Sequence, residues 1–382
     1  MKKMQRKTRI TILLAAAFIG ITLSGCAADD QNIDKQNAEQ EIPAADMQTP
    51  EPESDESEVN KTTETTTEES IVNESAETVS DELVIAGIAE NDPDASNETP
   101  ASLTEAQKAA LNSQGLYGQF LSGDISVTFN SNYTENIYLE PILENGNSYT
   151  LTELGECVSK YYLDSEYTGK KSYDYIQYAY VECPDSADVN DRNLLVKFVG
   201  LSIYSPGDAS YAVFIITENN GQLYVTDTYE CWARSETTAY ANGVLGSGGS
   251  GGANYHSYTL SVILSNGQQT TIYDGHILTS WCVGDIGGAI YSEVFNEKTY
   301  PNLAVYISTI GDEKFYQYDT SYCSEEEKPL CETYISRCHD EAGINWVTDE
   351  ELESAIQRQC SALGIDYSIT QDREEVVWND LW

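Results

Sequence analysis

Few residues of this chain are equipped for chemistry, so their types and spacing come first. Three histidines serve 382 residues. The run Gly248-Gly249-Ser250-Gly251-Gly252 carries the letters of a hydrolase nucleophile elbow, in which a serine attacks an ester carbonyl and a histidine takes its proton. His256 and His276 are the nearest bases. That motif needs a strand before it and a helix after it, and both flanks here read as strand. The wider run Gly246–Gly252 also lacks the Lys-Ser/Thr pair with which a phosphate loop reaches phosphate and metal. A mobile hairpin loop is the expected structure. Carboxylate pairs for glycoside cleavage cannot be singled out among 63 acids. No catalytic residue is assigned, no cofactor is implied, and enzyme chemistry is disfavoured.

Cys331, Cys338 and His339 lack the close Cys-x2–4-Cys pair of structural zinc sites, so no metal centre is expected there. Cys157, Cys183, Cys231, Cys282, Cys323, Cys331, Cys338 and Cys360 are an even set, and in an exported chain they are candidates for disulfides of unknown pairing. Cys331 and Cys338 sit seven apart on one expected helix, about 10 Å at 1.5 Å per residue, and cannot bridge each other. Their nearest partners in sequence are Cys323 and Cys360. Cys231 and Cys282, each beside a tryptophan in a strand-like run, are candidates to pair across a sheet. Buried free thiols are the alternative.

The ninth cysteine stands apart. Lys2, Lys3, Arg6, Lys7 and Arg9 precede a charge-free run from Ile10 to Leu23. A positive start followed by a short apolar stretch is the layout of a secretory signal. The stretch falls short of the roughly 20 residues that span a bilayer. Leu23-Ser24-Gly25-Cys26 resembles the lipobox of bacterial lipoproteins. The resemblance implies that the Cys26 thiol receives a diacylglycerol and becomes the first mature residue. The membrane is then a partner, and the chain is held on the extracellular face of the cell membrane, a layout that resembles those of Gram-positive bacteria. Two acyl chains, at about 0.8 kcal/mol per buried CH2, make a durable anchor.

The formal charge is −43, and it is spread along the chain. Residues 27–100 hold 22 acids against two lysines, and residues 101–382 hold 41 acids against 13 bases. Both parts repel nucleic acid and anionic headgroups, so nucleic-acid binding is not expected. Residues 27–100 also contain no Phe, Tyr or Trp and cannot bury enough apolar surface to offset chain entropy. A disordered acidic tether is expected there, spanning on the order of 50 Å as a coil. Leu83–Ala89 is its single apolar island. All 27 tyrosines and all five tryptophans lie beyond residue 100.

The elements that must position any site follow from this division: signal peptide 1–25, lipidated Cys26 and linker 26–100, and a folded domain 101–382, built as one large core or two close-packed halves. Ser102-Leu-Thr-Glu105 and Thr150-Leu-Thr-Glu153 read as capping boxes, opening helices that end near Leu121 and Leu163, with a short strand "DISVTF" between them. The middle is strand after strand. Asn220-Gly221, Asn266-Gly267 and Gly311-Asp312 mark three hairpins, and short loops demand antiparallel neighbours. Ser324–Glu327 and Thr348–Glu351 cap two further helices, ending near Ala342 and Leu363, and an acidic tail with Trp378 and Trp382 follows. The expected class is α+β: an antiparallel, hairpin-rich sheet with helices before and after it.

"YAYVECPDSADVNDRNLLVKF" resembles a strand–acidic loop–strand unit of surface proteins from Gram-positive gut bacteria, whose fuller form suits calcium. Here Asp185, Asp188, Asn190 and Asp191 have no accompanying glycine, and Arg192 stands among them, so a polar turn is the expected structure. Tyr173, Tyr175, Tyr178 and Tyr180, with Tyr133, Tyr138, Trp232 and Tyr240, offer stacking faces for sugars or peptides, but half-buried sheet packing is favoured for them. The residues together favour a lipid-anchored extracellular protein that presents a binding or interaction domain to a glycan or protein ligand. The rival is a wall-associated hydrolase or carbohydrate-binding protein acting on glycans.

Overall fold

The computed structural model describes residues 103–163, 169–188, 190–203, 210–295 and 300–381. The signal peptide, Cys26, the acidic segment 27–100, Ser102 and Trp382 lie outside these residues. Among the described residues the domain is α+β, with seven helices and thirteen strands in two mostly antiparallel sheets rather than the single sheet expected.

Helices α1 (Glu105–Asn112) and α2 (Leu116–Leu121) replace the one continuous helix expected. The break falls at Gly115, whose φ of 83° suits glycine. It lets α2 cross α1 so closely that a Cβ on Gly118 would collide with the Leu111 carbonyl. The cap is also two residues further on than the expected box. Thr104 and Gln107 exchange the reciprocal bonds. Helix α3 (Leu151–Tyr162) opens with the expected Thr150–Glu153 box.

The first sheet contains β1 (Val127–Phe129), β2 (Ser148–Tyr149), β3 (Tyr175–Glu182), β4 (Arg192–Val199), β5 (Tyr211–Asn219), β6 (Gln222–Cys231) and β13 (Asn379–Asp380), in the order β13-β3-β4-β5-β6-β1-β2. β1 runs parallel to β6, and the other pairs are antiparallel. The second sheet is a meander of six in chain order: β7 (Ser235–Ala239), β8 (Val244–Gly252), β9 (Tyr255–Ile263), β10 (Gln269–Thr279), β11 (Ala304–Ile310) and β12 (Glu313–Asp319). All three expected hairpins form. Asn220 and Gly221 take φ of 52° and 78°, the pattern of a two-residue type I′ turn. Gly267 closes a longer turn by donating its N–H to the Leu264 carbonyl at 2.8 Å.

The glycine run is not a loop. It is β8, an interior strand hydrogen-bonded to β7 and β9 on its two sides. Glycine weakens a strand because it has no side chain to pack, and aromatic neighbours repair the deficit. The Tyr240 ring lies 3.4 Å from where a Gly246 Cβ would stand.

Helices α1–α3 cover one face of the first sheet, where Phe120, Leu121, Leu154 and Val158 meet Val196, Phe198, Phe214 and Ile216. The other face meets the second sheet: Val181, Leu195, Val213 and Ile215 pack against Ala239, Leu245 and Ile263. β4 and β5 are thus covered on both sides, which explains their near-continuous apolar runs. Short helices α4 (Gly284–Gly287) and α5 (Ala289–Phe295), with α6 (Lys328–Ala342), enclose Leu278 and Val305 at one end of the second sheet. The Ser324–Glu327 box forms one turn ahead of α6, and Gly343 ends the helix with a φ of 69°. The chain passes the outer edge of β12 at Trp346, bridged to Tyr316, and the Thr348 box opens α7 (Asp349–Ala362). α7 lies on the opposite face of that sheet, against Leu260, Val262, Ile272 and Ile310. The C-terminal segment then fastens both sheets. Val376 N–H bonds to the Ala239 carbonyl, and β13 pairs with β3.

Candidate binding face

Because β7–β12 lie in chain order, their registers set side chains in rows straight across the sheet. One row is Ser250, His256, Ile277, Tyr306 and Gln317, all partly exposed. The next, on the same face, is Glu236, Gly248, Tyr258, Gly275, Ser308 and Phe315. The Tyr258 hydroxyl stands 2.8 Å from Ser308 Oγ and donates to the Ile307 carbonyl at 3.2 Å. It reaches them by lying over Gly275, where a Cβ would meet its ring carbon at 2.8 Å. Burial pushes the Tyr258 hydroxyl up to about 12, so it stays a neutral donor at physiological pH. Tyr306 is also raised, by burial and then by Asp319 and Tyr322 beside it.

Around the end of the sheet formed by the close of β10, the start of β11 and the close of β12 stand Trp281 (55% exposed), Tyr300 (60%), Tyr318 (46%) and Tyr322 (68%). Large aromatics this open to water are what a binding surface requires and what a core does not leave behind. Asp319 and Ser321 add carboxylate and hydroxyl groups at the same turn. None of these aromatics figured among the sequence candidates. The aromatic-rich stretch "KFYQYDTSYC" was the available signal, but the site is assembled from three separate segments.

The sequence candidates lie elsewhere or are engaged. Ser250 and His256 are direct cross-strand partners, while His276 points to the opposite face, its Nδ1 2.9 Å from the Tyr255 hydroxyl. Ser250 Oγ donates to the Gly252 carbonyl at 3.0 Å, and a strand follows it in place of a helix, so the elbow geometry is not assembled. In the acidic loop, both Asp185 oxygens accept from Ser265, N–H and Oγ, each at 2.7 Å. Asp188 accepts from the Asn190 N–H at 2.9 Å, which holds its carboxyl below the usual range. The loop is a polar turn that ties β3 to the β9–β10 turn. His339 Nδ1 lies 3.0 Å from the Ile344 carbonyl at the end of α6, taken up by the local turn.

Tyr173, Tyr178 and Tyr180 pack half-buried on the helix-covered face of the first sheet, and Tyr175 stands on the other face. Tyr133 and Tyr138 are exposed, with Tyr133 4.5 Å from the Tyr224 ring. Trp232 forms a bridge with Ser235. These residues do not compose one platform. A separate cleft of about 480 Å³ between α3 and residues 170–173 is lined by Lys160, Lys170 and Lys171, with Lys170 Nζ held 2.7 Å from Asp174.

The eight described cysteines are thiols. Cys157 is half-buried on α3, and the others are buried. Cys183 accepts from Asn193 Nδ2 at 3.3 Å and Cys231 from the Thr237 N–H at 3.2 Å. Cys282 lies in the core beneath α5 and α6 as a free thiol, so the candidate Cys231–Cys282 pair is not bonded. Cys360 packs on the far face of the second sheet, away from Cys331 and Cys338, which removes it as their partner. Cys323 Sγ and Cys331 Sγ are 3.3 Å apart.

No family model matches this chain, and neither a curated protein nor a solved structure matches it.

Proposed function

We propose that this chain is a lipid-anchored extracellular binding protein whose second sheet takes a neutral glycan at its aromatic end. The gathering of Trp281, Tyr300, Tyr318 and Tyr322 at that end carries the ligand assignment. Flat rings stack on the apolar faces of sugar rings, while neighbouring carboxylates and hydroxyls order the sugar hydroxyls. A net charge of −43 opposes polyanionic ligands and leaves neutral ones unhindered. The lipobox-like Leu23–Cys26 supports the anchor, and the acid-rich, aromatic-free segment 27–100 supports a spacer between membrane and domain. The hydrolase reading loses support because Ser250 Oγ is bonded within its own strand.

The test is a glycan array probed with the mature chain, followed by tryptophan fluorescence titration of any hit. Binding that weakens at least tenfold in Trp281→Ala is the expected result, in keeping with about 1.4 kcal/mol for a lost stacking contact. A glycan that binds Trp281→Ala and the parent chain equally refutes the site.

A further inference from the structure

Cys282, Cys323, Cys331 and Cys338 share one core beneath α5 and α6. Within it, the Cys323 and Cys331 sulfurs lie 3.3 Å apart, both shielded from water. The chain between them is bent into place without any sulfur bond. Ser324 N–H donates to Glu327 Oε2 at 2.7 Å, Glu327 N–H returns a bond to Ser324 Oγ, and Pro329 sets the first turn of α6. Cys323 is thereby fixed beside the first turn of the helix that carries Cys331. The sulfurs need approach by only about 1.2 Å to reach bonding distance, within reach of side-chain torsions.

We propose that Cys323 and Cys331 become a disulfide pair when the chain folds in an oxidising medium. The bond would clasp the end of β12 to α6 and steady Tyr318 and Tyr322, which precede Cys323 in the chain. The oxidant is a small disulfide or a disulfide-carrying oxidoreductase. One thiolate attacks it and releases one of its sulfurs as a thiol. The second cysteine then displaces the other sulfur from the mixed disulfide. Two protein thiols lose two hydrogens, and the oxidant is reduced to two thiols. Burial pushes the Cys331 thiol up to about 12, so the exchange belongs to folding, before α6 closes over the pair. That an oxidising medium is the chain's natural one rests on the extracellular reading above; the pairing rests on geometry alone.

The mature chain is refolded with oxidised and reduced glutathione, its remaining thiols are blocked, and it is cleaved after glutamate. Cleavage separates residues 314–325 from 328–332, each with one cysteine of the pair. The expected product is these two peptides joined, lighter than their sum by two hydrogens. Finding both cysteines blocked, or either joined elsewhere, overturns the pairing. Closing so short a loop should raise the folding equilibrium constant roughly 50- to 100-fold. That gain should be absent from the Cys323→Ser/Cys331→Ser variant, and an equal response of variant and parent to oxidant also overturns the proposal. A bond that forms in vitro but is absent from chain trapped in acid directly from cells supports the pairing and refutes the extracellular reading.

Discussion

Gly267 and Gly221 occupy Asn-Gly turns with nearly the same backbone, φ of 76° and 78°, but opposite surroundings. A Cβ on Gly221 would meet nothing within 4 Å, whereas one on Gly267 would overlap Thr217 Oγ1 and Thr226 Oγ1. Those hydroxyls belong to a buried knot that joins the sheets. Thr226 Oγ1 donates to the Gly267 carbonyl at 3.0 Å, Thr217 Oγ1 to Asn193 Oδ1 at 2.5 Å, and Asn193 Nδ2 to the Leu264 carbonyl at 2.8 Å. Gly221→Ala therefore incurs only the left-handed backbone cost, about 1 to 2 kcal/mol. Gly267→Ala incurs the same cost and adds about 1 to 3 kcal/mol for overpacking and about 1 kcal/mol for the Thr226 bond. The difference, about 2 to 4 kcal/mol, corresponds to roughly 1 M in urea midpoint for a slope near 3 kcal/mol/M. Equilibrium unfolding in urea of the two variants beside the parent chain is the assay. Coincident midpoints for the two would refute the claim that the β9–β10 turn is seated in the first sheet.

Two further measurements bear on other parts of the molecule. Glu153 and Glu351 are held below the ordinary carboxyl value of 4.5 by the backbone N–H groups of Thr150 and Thr348 that they accept, while Gln107 does the same work in α1 without titrating. A lowered carboxyl contributes stability above its unfolded pKa and loses it as pH falls through the folded one. Amide protection, taken relative to the intrinsic exchange rate at each pH, should therefore fall on acidification in the first turns of α3 and α7 more than in α1, and an equal fall in all three would contradict the capping assignment. Cys26→Ala should abolish acylation and release the chain from membranes; normal membrane retention of that variant, measured by fractionation, would remove the lipid anchor.

What was legible in the sequence was local. The Thr150 and Thr348 boxes and the three glycine turns each need only four or five neighbouring residues, and all five stand as read. What was not legible depended on distant chain. Gly246–Gly252 resembles a loop by composition, and only β7, β9 and the Tyr240 ring make it a strand. The division into two sheets is set at the β6–β7 junction by packing of Leu195 and Val213 against Leu245, a contact without a signature in either segment. The break at Gly115 follows from the approach of Gly118 to Leu111, which a continuous periodic pattern conceals. The proposed binding face was missed for the same reason: Trp281, Tyr300 and Tyr322 come to one end of the sheet only through the pairing of β10, β11 and β12.

Residues 374–381 fasten the two sheets after the other strands have been made. Ala241 N–H bonds to the Glu374 carbonyl, Leu381 N–H bonds to the Ile176 carbonyl, and Gln177 and Tyr178 wait for Asp380 and Asn379 as partners. During synthesis β3 therefore has a bare outer edge until residues 379 and 380 are made, and Ala241 waits for the Glu374 carbonyl. Strands β1 to β12 are therefore all synthesised before the segment that fastens the two sheets together.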